Sequence, residues 1–142
     1  MHAPYLQRCA ELAARASETG DAPVGALIVR DGAILGEGIE AVRRSHDATA
    51  HAEMEALRAA SRRVGSHDLS GSTLYTSVAP CVMCAFAIRL ARIAVVVSAA
   101  PCGDADDAVS GLDVLANPAI LPARPLPVVI GGVSATKESP HE

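Results

Sequence analysis

Residues 73–98 read T-L-Y-T-S-V-A-P-C-V-M-C-A-F-A-I-R-L-A-R-I-A-V-V-V-S, and the order of elements within them decides the fold. The stretch over residues 73–78 is typical of a β-strand, and Pro80 suits the first position of a helix that runs to about residue 91. The β-branched residues over 93–98 predict a second strand. A strand, a helix and a strand in this order are typical of two parallel strands joined by a crossover helix.

The residues before this unit predict a helix and a hairpin. Apolar residues recur at helical spacing over residues 4–19. Two apolar runs, 24–30 and 33–38, flank Asp31 and Gly32. An Asp-Gly pair between two such runs is a strong signal for a β-hairpin.

The remaining segments complete the order of elements. Residues 39–48 are polar and irregular, and a helix over about 50–64 follows them, with Thr49 as its N-cap. Further along the chain, residues 106–115 predict a short helix and residues 126–130 a last strand. We therefore predict an α/β fold, a three-layer α/β/α sandwich with a mixed five-stranded sheet.

Length and composition limit the classes of function. The 142 residues suffice for one domain, which we expect over residues 1–133, with a polar tail over 134–142. A net charge of −4 and only one Phe and two Tyr argue against a nucleic-acid partner. The N-terminus lacks the apolar core of a signal peptide, and no apolar run approaches the roughly 18 residues of a membrane span. We expect a soluble, cytoplasmic protein that acts on a small-molecule substrate and has no membrane partner.

Four reactive side chains lie in two compact clusters. His51 and Glu53 belong to the fragment T-A-H-A-E-M, and Cys81 and Cys84 belong to P-C-V-M-C. A disulfide, a structural metal site, a catalytic metal site and coincidence are the four explanations. In a reducing compartment a close C-x-x-C pair indicates metal or redox chemistry more often than a disulfide.

The spacing within the clusters favours a catalytic zinc site. Cys81 and Cys84 are three apart in the first turn of a helix, where their sulfurs can converge and where the helix dipole lowers the pKa of a thiol. His51 and Glu53 are two apart, so Glu53 is poorly placed as a ligand but can reach water beside the metal. Thiolate and imidazole ligands suit Zn²⁺, and three of them leave a fourth position open. A chance pattern and a purely structural metal site remain the alternatives.

Five segments resemble the cytidine deaminase superfamily. They are A-P-V-G-A-L-I-V (22–29), D-A-T-A-H-A-E-M-E-A-L-R (47–58), T-L-Y-T-S (73–77), P-C-V-M-C-A-F-A-I (80–88) and A-R-I (91–93). The similarity covers about residues 4–133 and is greatest to bacterial tRNA adenosine deaminases, guanine deaminases and fungal-type cytosine deaminases.

The resemblance implies a site and an activity. One Zn²⁺ per chain would be held by His51, Cys81 and Cys84, and Glu53 would be the catalytic proton shuttle. The protein would be a hydrolase that acts on the C–N bond of a cyclic amidine and releases ammonia, and it would form a homodimer.

Several residues depart from the pattern of the resembled family. Many of its members have Asn where this chain has Glu40, and a carboxylate there implies a substrate with N–H donors; alternatively, Glu40 faces solvent from a shifted loop. Ala79 stands where Glu is frequent, and Phe86 either narrows the pocket or joins the core. Ala52 and Asp104 are further candidates for substrate contact.

Three hypotheses follow. The first is deamination of a small free aminated heterocycle, a guanine-like or cytosine-like base. The second is deamination of adenosine in tRNA, which the acidic balance disfavours. The third is a catalytically silent zinc-binding protein, in which Glu40, Ala79 and Phe86 reflect a lost substrate.

Overall fold

A mixed five-stranded sheet forms the centre of the computed structural model, which describes residues 1–102 and 110–135. The strands are β1 (Gly25–Arg30), β2 (Ala33–Ile39), β3 (Thr73–Thr76), β4 (Val95–Ser98) and β5 (Val128–Ile130). Their order across the sheet is β2-β1-β3-β4-β5. Strand β1 is antiparallel to β2 and β3, whereas β3, β4 and β5 are parallel, so the predicted mixed sheet is confirmed.

Helices cover both faces of this sheet. They are α1 (Ala3–Glu18), α2 (Val42–Ser45), α3 (Ala52–Val64), α4 (Val82–Leu90) and α5 (Gly111–Leu115). On one face, Leu6 and Cys9 of α1 pack in a buried cluster with Leu27, Tyr75 and Val97 of the strands. On the other face, buried residues of α3, α4 and α5 pack against the alternate side chains of the same strands. The three-layer α/β/α sandwich is therefore confirmed.

The β1–β2 hairpin turns at the Asp-Gly pair. Asp31 and Gly32 have φ of 52° and 77°, the left-handed backbone that both central residues of a type I′ turn adopt. The predicted hairpin is confirmed, and it brings the end of β2 back towards the start of β1.

Strand β2 lies directly on the backbone of α3. A Cβ atom on Gly38 would clash with the carbonyl oxygen of Ala52 and would lie 2.5 Å from the amide nitrogen of Ala56. A Cβ on Gly36 would lie 2.5 Å from the amide nitrogen of Ala60. Only glycine permits this approach. The close contact fixes the start of α3 beside the end of β2.

Both predicted starts of the long helices after the hairpin are wrong. Helix α3 begins after His51, which is its N-cap in place of Thr49, because the backbone of His51 is extended with ψ of 153°. Helix α4 begins after Cys81, whose ψ of 174° is also extended, so Pro80 precedes the helix rather than opening it. These shifts place two metal-ligand candidates at helix caps.

Other segments differ only in extent. The short helix α2 lies within residues 39–48, which the sequence predicts as irregular. Helix α5 occupies the second half of the predicted helix 106–115, whose first residues, 106–109, lie outside the described part of the chain. The last strand begins at Val128, directly after Pro127, which lacks an N–H for the sheet.

No helix within residues 1–102 and 110–135 combines the length and the apolar character needed to cross a membrane. The division into one domain over 1–133 and a polar tail over 134–142 remains a prediction.

Candidate metal centre

Three soft and borderline donor atoms meet where α3 and α4 begin. The Nδ1 atom of His51 lies 3.5 Å from the sulfur of Cys81 and 3.5 Å from the sulfur of Cys84. All three donor atoms lie within 4.8 Å of one another. Across the described parts of the chain, this is the single group of three or more His, Cys, Asp or Glu residues that could hold a metal ion.

The cluster has the dimensions of a zinc site. Zn–S bonds of about 2.3 Å and Zn–N bonds of about 2.0–2.1 Å at tetrahedral angles put nitrogen and sulfur about 3.6 Å apart. The observed separations of 3.5 Å match this value. Cys81 is exposed, His51 is half-buried and Cys84 is buried, so one side of the cluster is accessible from outside. The donors present therefore fit one zinc ion with an open side.

Glu53 is a buried carboxylic acid beside this cluster. It lies in the first turn of α3 and is only 2% exposed. Burial raises the pKa of its carboxyl to about 7, and the charge of Glu40 acts in the same direction. Its carboxylate is not a member of the donor group, as the two-residue spacing from His51 predicts. Such a group can take up and release a proton near neutral pH.

The expectation that the helix N-terminus lowers the pKa of both thiols is wrong for Cys84. Burial raises the pKa of the Cys84 thiol well above its usual value, and the charges of Glu53, Cys81 and Glu40 add to the effect. Desolvation therefore outweighs the helix dipole in the metal-free protein. A coordinated metal ion supplies the positive charge that a thiolate at this position needs.

Glu40 caps helix α3 from the end of β2. Its Oε1 atom accepts a hydrogen bond of 2.9 Å from the amide of Ala52, while the side chain of the N-cap, His51, makes no capping bond. Glu40 is half-buried, and its charge influences both Glu53 and Cys84. The alternative that Glu40 faces solvent from a shifted loop is therefore wrong.

The other candidates for substrate contact lie at different depths. Ala52 is fully buried against β2, and Ala79 is half-buried directly before Pro80. Phe86 is 41% exposed on the outer side of α4, so the alternative that it joins the core is wrong. Asp104 lies outside the residues that the structure describes.

A buried arginine that the sequence analysis did not single out joins α4 to the region of α5. Arg89 is 1% exposed, and no carboxylate of the described residues forms an ion pair with it. Its guanidinium donates to three carbonyl oxygens, those of Val114 (3.1 Å), Asn117 (2.6 Å) and Leu121 (3.3 Å). At the other end of α5, a Cβ on Gly111 would clash with the carbonyl oxygen of Pro80. Helix α5 is thus held at both ends against the helix that carries the cysteines.

No local pattern in the sequence predicts that Arg89 is buried, because a single Arg on an apolar helix is usually a surface residue. The close backbone contacts at Gly38 and Gly111 are not predicted either. Gly38 lies within a strand, where an isolated glycine is a signal for such a contact, whereas Gly111 opens helix α5 and gives no such signal.

A family profile described as the "Cytidine and deoxycytidylate deaminase zinc-binding region" matches residues 1–102. Among curated proteins, the tRNA-specific adenosine deaminase of Aquifex aeolicus is 42% identical over 96 residues, which are 68% of this chain and 64% of that protein. The guanine deaminase of Bacillus subtilis is 44% identical over 108 residues, 75% of this chain and 69% of that protein. The chain thus spans slightly less than two thirds of the first relative and slightly more of the second.

Among solved structures, the chain is again similar both to a protein from work on tRNA deaminases and to a guanine deaminase. A structure from work on A-to-I editing by tRNA:A34 deaminases superposes with a TM-score of 0.79 at 31% identity, covering 90% of this chain and 96% of the other. The X-ray structure of guanine deaminase from Bacillus subtilis superposes with a TM-score of 0.67 at 43% identity, covering 69% of this chain and 63% of the other.

Proposed function

Because the chain belongs to the family of the cytidine and deoxycytidylate deaminase zinc-binding region, we propose that it is a zinc-dependent hydrolytic deaminase of a small free aminated heterocycle. A guanine-like base is our first candidate and a cytosine-like base our second. The observation that carries this proposal is the pairing of a His, Cys, Cys donor group with the buried carboxyl of Glu53 in the first turn of α3.

His51, Cys81 and Cys84 would hold the ion, and Glu53 would move protons. Zinc, when bound, supplies a positive charge that acidifies water at its open position. Glu53 takes a proton from the attacking water and donates it to a ring nitrogen of the substrate. It then takes the second proton from the hydroxyl that the attack leaves on the ring carbon and passes it to the amino group. A C=O bond forms as the C–N bond breaks, and ammonia leaves. Burial raises the pKa of the Glu53 carboxyl in the metal-free protein, which favours uptake of a proton.

Ala79 and Ala52 would shape the site through their backbones. Ala79 precedes Pro80 at the start of the cysteine segment, and its carbonyl would accept a hydrogen bond from the leaving amine. Ala52 separates His51 from Glu53, and its burial holds both at fixed spacing. Contact of the substrate with Asp104 remains a prediction from the sequence.

Deamination of adenosine in tRNA is the second candidate. The superposition that covers 90% of this chain and 96% of a protein from the tRNA:A34 deaminase work favours it. The net charge of −4 argues against it, because contacts to a phosphate backbone depend on Lys and Arg. A catalytically silent zinc protein is the third candidate.

Ammonia release tests all three. The zinc-loaded protein would be assayed with guanine, cytosine, adenine, their nucleosides, and an anticodon stem-loop that carries adenosine at the wobble position. We expect release from guanine and none after removal of zinc by a chelator. Release from the stem-loop alone would replace the first candidate by the second. Silence with all substrates, despite one zinc per chain, would leave the third.

We also propose that the protein is a homodimer. Val82, Phe86 and Leu90 are spaced four apart on α4, and each is 41% exposed, which gives one continuous apolar stripe beside the metal centre. Light scattering of the wild type should give twice the mass of one chain. Phe86→Glu places a charge in the apolar stripe and should lower the measured mass towards that of the monomer. A monomeric wild type would contradict the proposal, in which Phe86 contacts the second copy.

Finally, we propose that the protein works in the cytoplasm. All four cysteines carry free thiols, and Cys81 and Cys84 bind metal only while they are reduced. Cell fractionation would test this proposal.

A further inference from the structure

The carboxylate of Glu40 lies beside the metal centre, and one of its two oxygens accepts no hydrogen bond from the described residues. Glu40 places its Oε1 atom 2.9 Å from the amide of Ala52, the residue between His51 and Glu53. Among the hydrogen bonds and ion pairs of the described residues, none involves its Oε2 atom. The carboxylate therefore has capacity to accept further hydrogen bonds next to the site.

The backbone holds this carboxylate in place. The amide of Glu40 donates a hydrogen bond of 3.0 Å to the carbonyl of Val24, and two residues earlier Gly38 lies against the backbone of Ala52. With Oε1 bound to the helix as well, a large rotation of the side chain would break the cap. The orientation of Oε2 is thus set by β2 and α3 together.

The hydrogen bond to Ala52 places the carboxylate of Glu40 beside the reacting groups. Ala52 stands between His51, a donor of the candidate metal centre, and Glu53, the proposed proton shuttle, so Glu40 binds the backbone directly next to both. A ring that lies against the metal centre and Glu53 therefore comes close to Glu40.

Resting on the function proposed above, we propose that Glu40 selects heterocycles that present an N–H donor and rejects those that present only acceptors or a substituted nitrogen. An ionised carboxylate can only accept hydrogen bonds. Free guanine carries N–H groups on both of its rings, whereas in a nucleoside the sugar replaces the N–H of the imidazole ring. A site built to bind an N–H group discriminates strongly against an analogue that lacks it, because the acceptor that the bound ring covers is then left unpaired.

The test compares Glu40→Gln with the wild type on guanine, 7-methylguanine, 9-methylguanine and guanosine. The amide oxygen of Gln can keep the cap on Ala52, while its NH₂ group replaces the acceptor Oε2 by a donor. In the wild type we expect kcat/KM for guanine to exceed that for the worst methylated analogue by about 100-fold or more. In Glu40→Gln this ratio should shrink by about tenfold or more, with zinc content unchanged.

Glu40→Ala is the control for a role in capping alone. It removes the cap and the acceptor together, so it should lower the melting temperature, which Glu40→Gln should preserve. If Glu40→Gln lowers kcat/KM for all four compounds by one common factor, the selectivity role is overturned and only a positioning role is left.

A binding measurement distinguishes failure of the proposed function from failure of this inference. If no compound releases ammonia, calorimetric binding of guanine and of its two methylated analogues to the zinc-loaded proteins gives the same ratios. Equal affinities of the wild type for all three compounds would overturn the inference.

Discussion

The two helix N-termini that meet at the metal centre are capped in different ways. At α3 the imidazole of the N-cap, His51, faces the two sulfurs, and Glu40 reaches from β2 to bind the free N–H of Ala52. At α4 the N-cap is Cys81, and its own sulfur accepts the N–H of Cys84 at 3.5 Å. Capping and metal binding are thus divided between two residues at α3 and combined in one sulfur at α4.

Because of this difference, the carboxylates of Glu40 and Glu53 beside the start of α3 can be exchanged without loss of a metal ligand, whereas Cys81 at the start of α4 cannot. On the α3 side, a change at Glu40 or Glu53 alters chemistry and leaves the three donor atoms in place. On the α4 side, a change at Cys81 removes a donor of the ion, and it also disturbs the helix start unless the new side chain can cap it. Substitutions on the two sides should therefore give opposite patterns of activity loss and zinc loss.

The largest effect is expected from Glu53→Gln on the α3 side. The amide keeps the volume of the side chain but cannot move a proton, so kcat should fall by about 10³–10⁴-fold. Zinc should stay near one ion per chain, measured by metal analysis of the purified protein. Glu55→Gln, two residues along the same helix, is the matched control and should leave kcat unchanged. Retained activity in Glu53→Gln would remove this residue from the mechanism.

Cys81→Ser should give the opposite pattern on the α4 side. Serine is a good N-cap, so the metal-free protein should fold with unchanged stability. Its hard oxygen is a poor substitute for thiolate, and zinc affinity should fall by at least about 100-fold in competition with a chelator, since even changes outside the ligand shell cost about 10–100-fold. Cys102→Ser, which is outside the donor group, is the control. Unchanged zinc affinity in Cys81→Ser would show that the sulfur only caps the helix.

Arg89→Met tests the support behind the α4 side. The substitution leaves three carbonyl oxygens without their donor, and the free energy of unfolding should fall by about 2–3 kcal/mol, measured with urea. The exposed Arg62→Met on α3 should change it by less than about 0.5 kcal/mol. Equal stability of Arg89→Met and the wild type would mean that the cost of burying the guanidinium cancels its hydrogen bonds.

The smallest effect concerns the contact that holds β2, the strand directly before Glu40, against α1. Hydrogen bonds from Arg8 of α1, at 2.8 and 3.0 Å, hold the pKa of the Glu37 carboxyl below its usual value. A lowered pKa in the folded state means that its stabilisation is present above the unfolded value and is lost as pH falls through the folded value. Both side chains are about one third exposed, so the loss should stay below about 1 kcal/mol.

Urea midpoints of the wild type and of Glu37→Gln between about pH 2 and pH 6 would measure this contribution. The difference between the two proteins should shrink as pH falls. A constant difference at all pH values would assign the contribution of Glu37 to packing rather than charge.

The sequence predicts the elements and the donor group because both depend on local signals. The Asp31-Gly32 turn, the β-branched strands and the crossover unit each lie within a short stretch, and the ligands have the spacing of known zinc sites. The role of His51 and Cys81 as N-caps was not predicted, because Thr49 and Pro80 give stronger local signals for a helix start. The extended backbone at both residues prevails over these preferences.

The partners of Glu40 and Arg89 could not be predicted for another reason. Ala52 is twelve residues from Glu40, and the carbonyls that bind Arg89 are 25 to 32 residues away from it. Contacts of this kind exist only once sheet and helices are packed. Residue types alone left Glu40 as either a substrate contact or a solvent-exposed residue, and the hydrogen bond to α3 excluded the second.

Gly38 has a consequence for attempts to redesign the site. No side chain fits between Gly38 and α3, so the backbone of β2 is fixed against this helix. Residue 40, directly after the strand, is therefore held at one position beside the start of α3. A library that varies residue 40 while it keeps Gly36 and Gly38 would exchange the chemical group at that point without moving the frame. Differences in substrate range among its members could then be attributed to the new group itself.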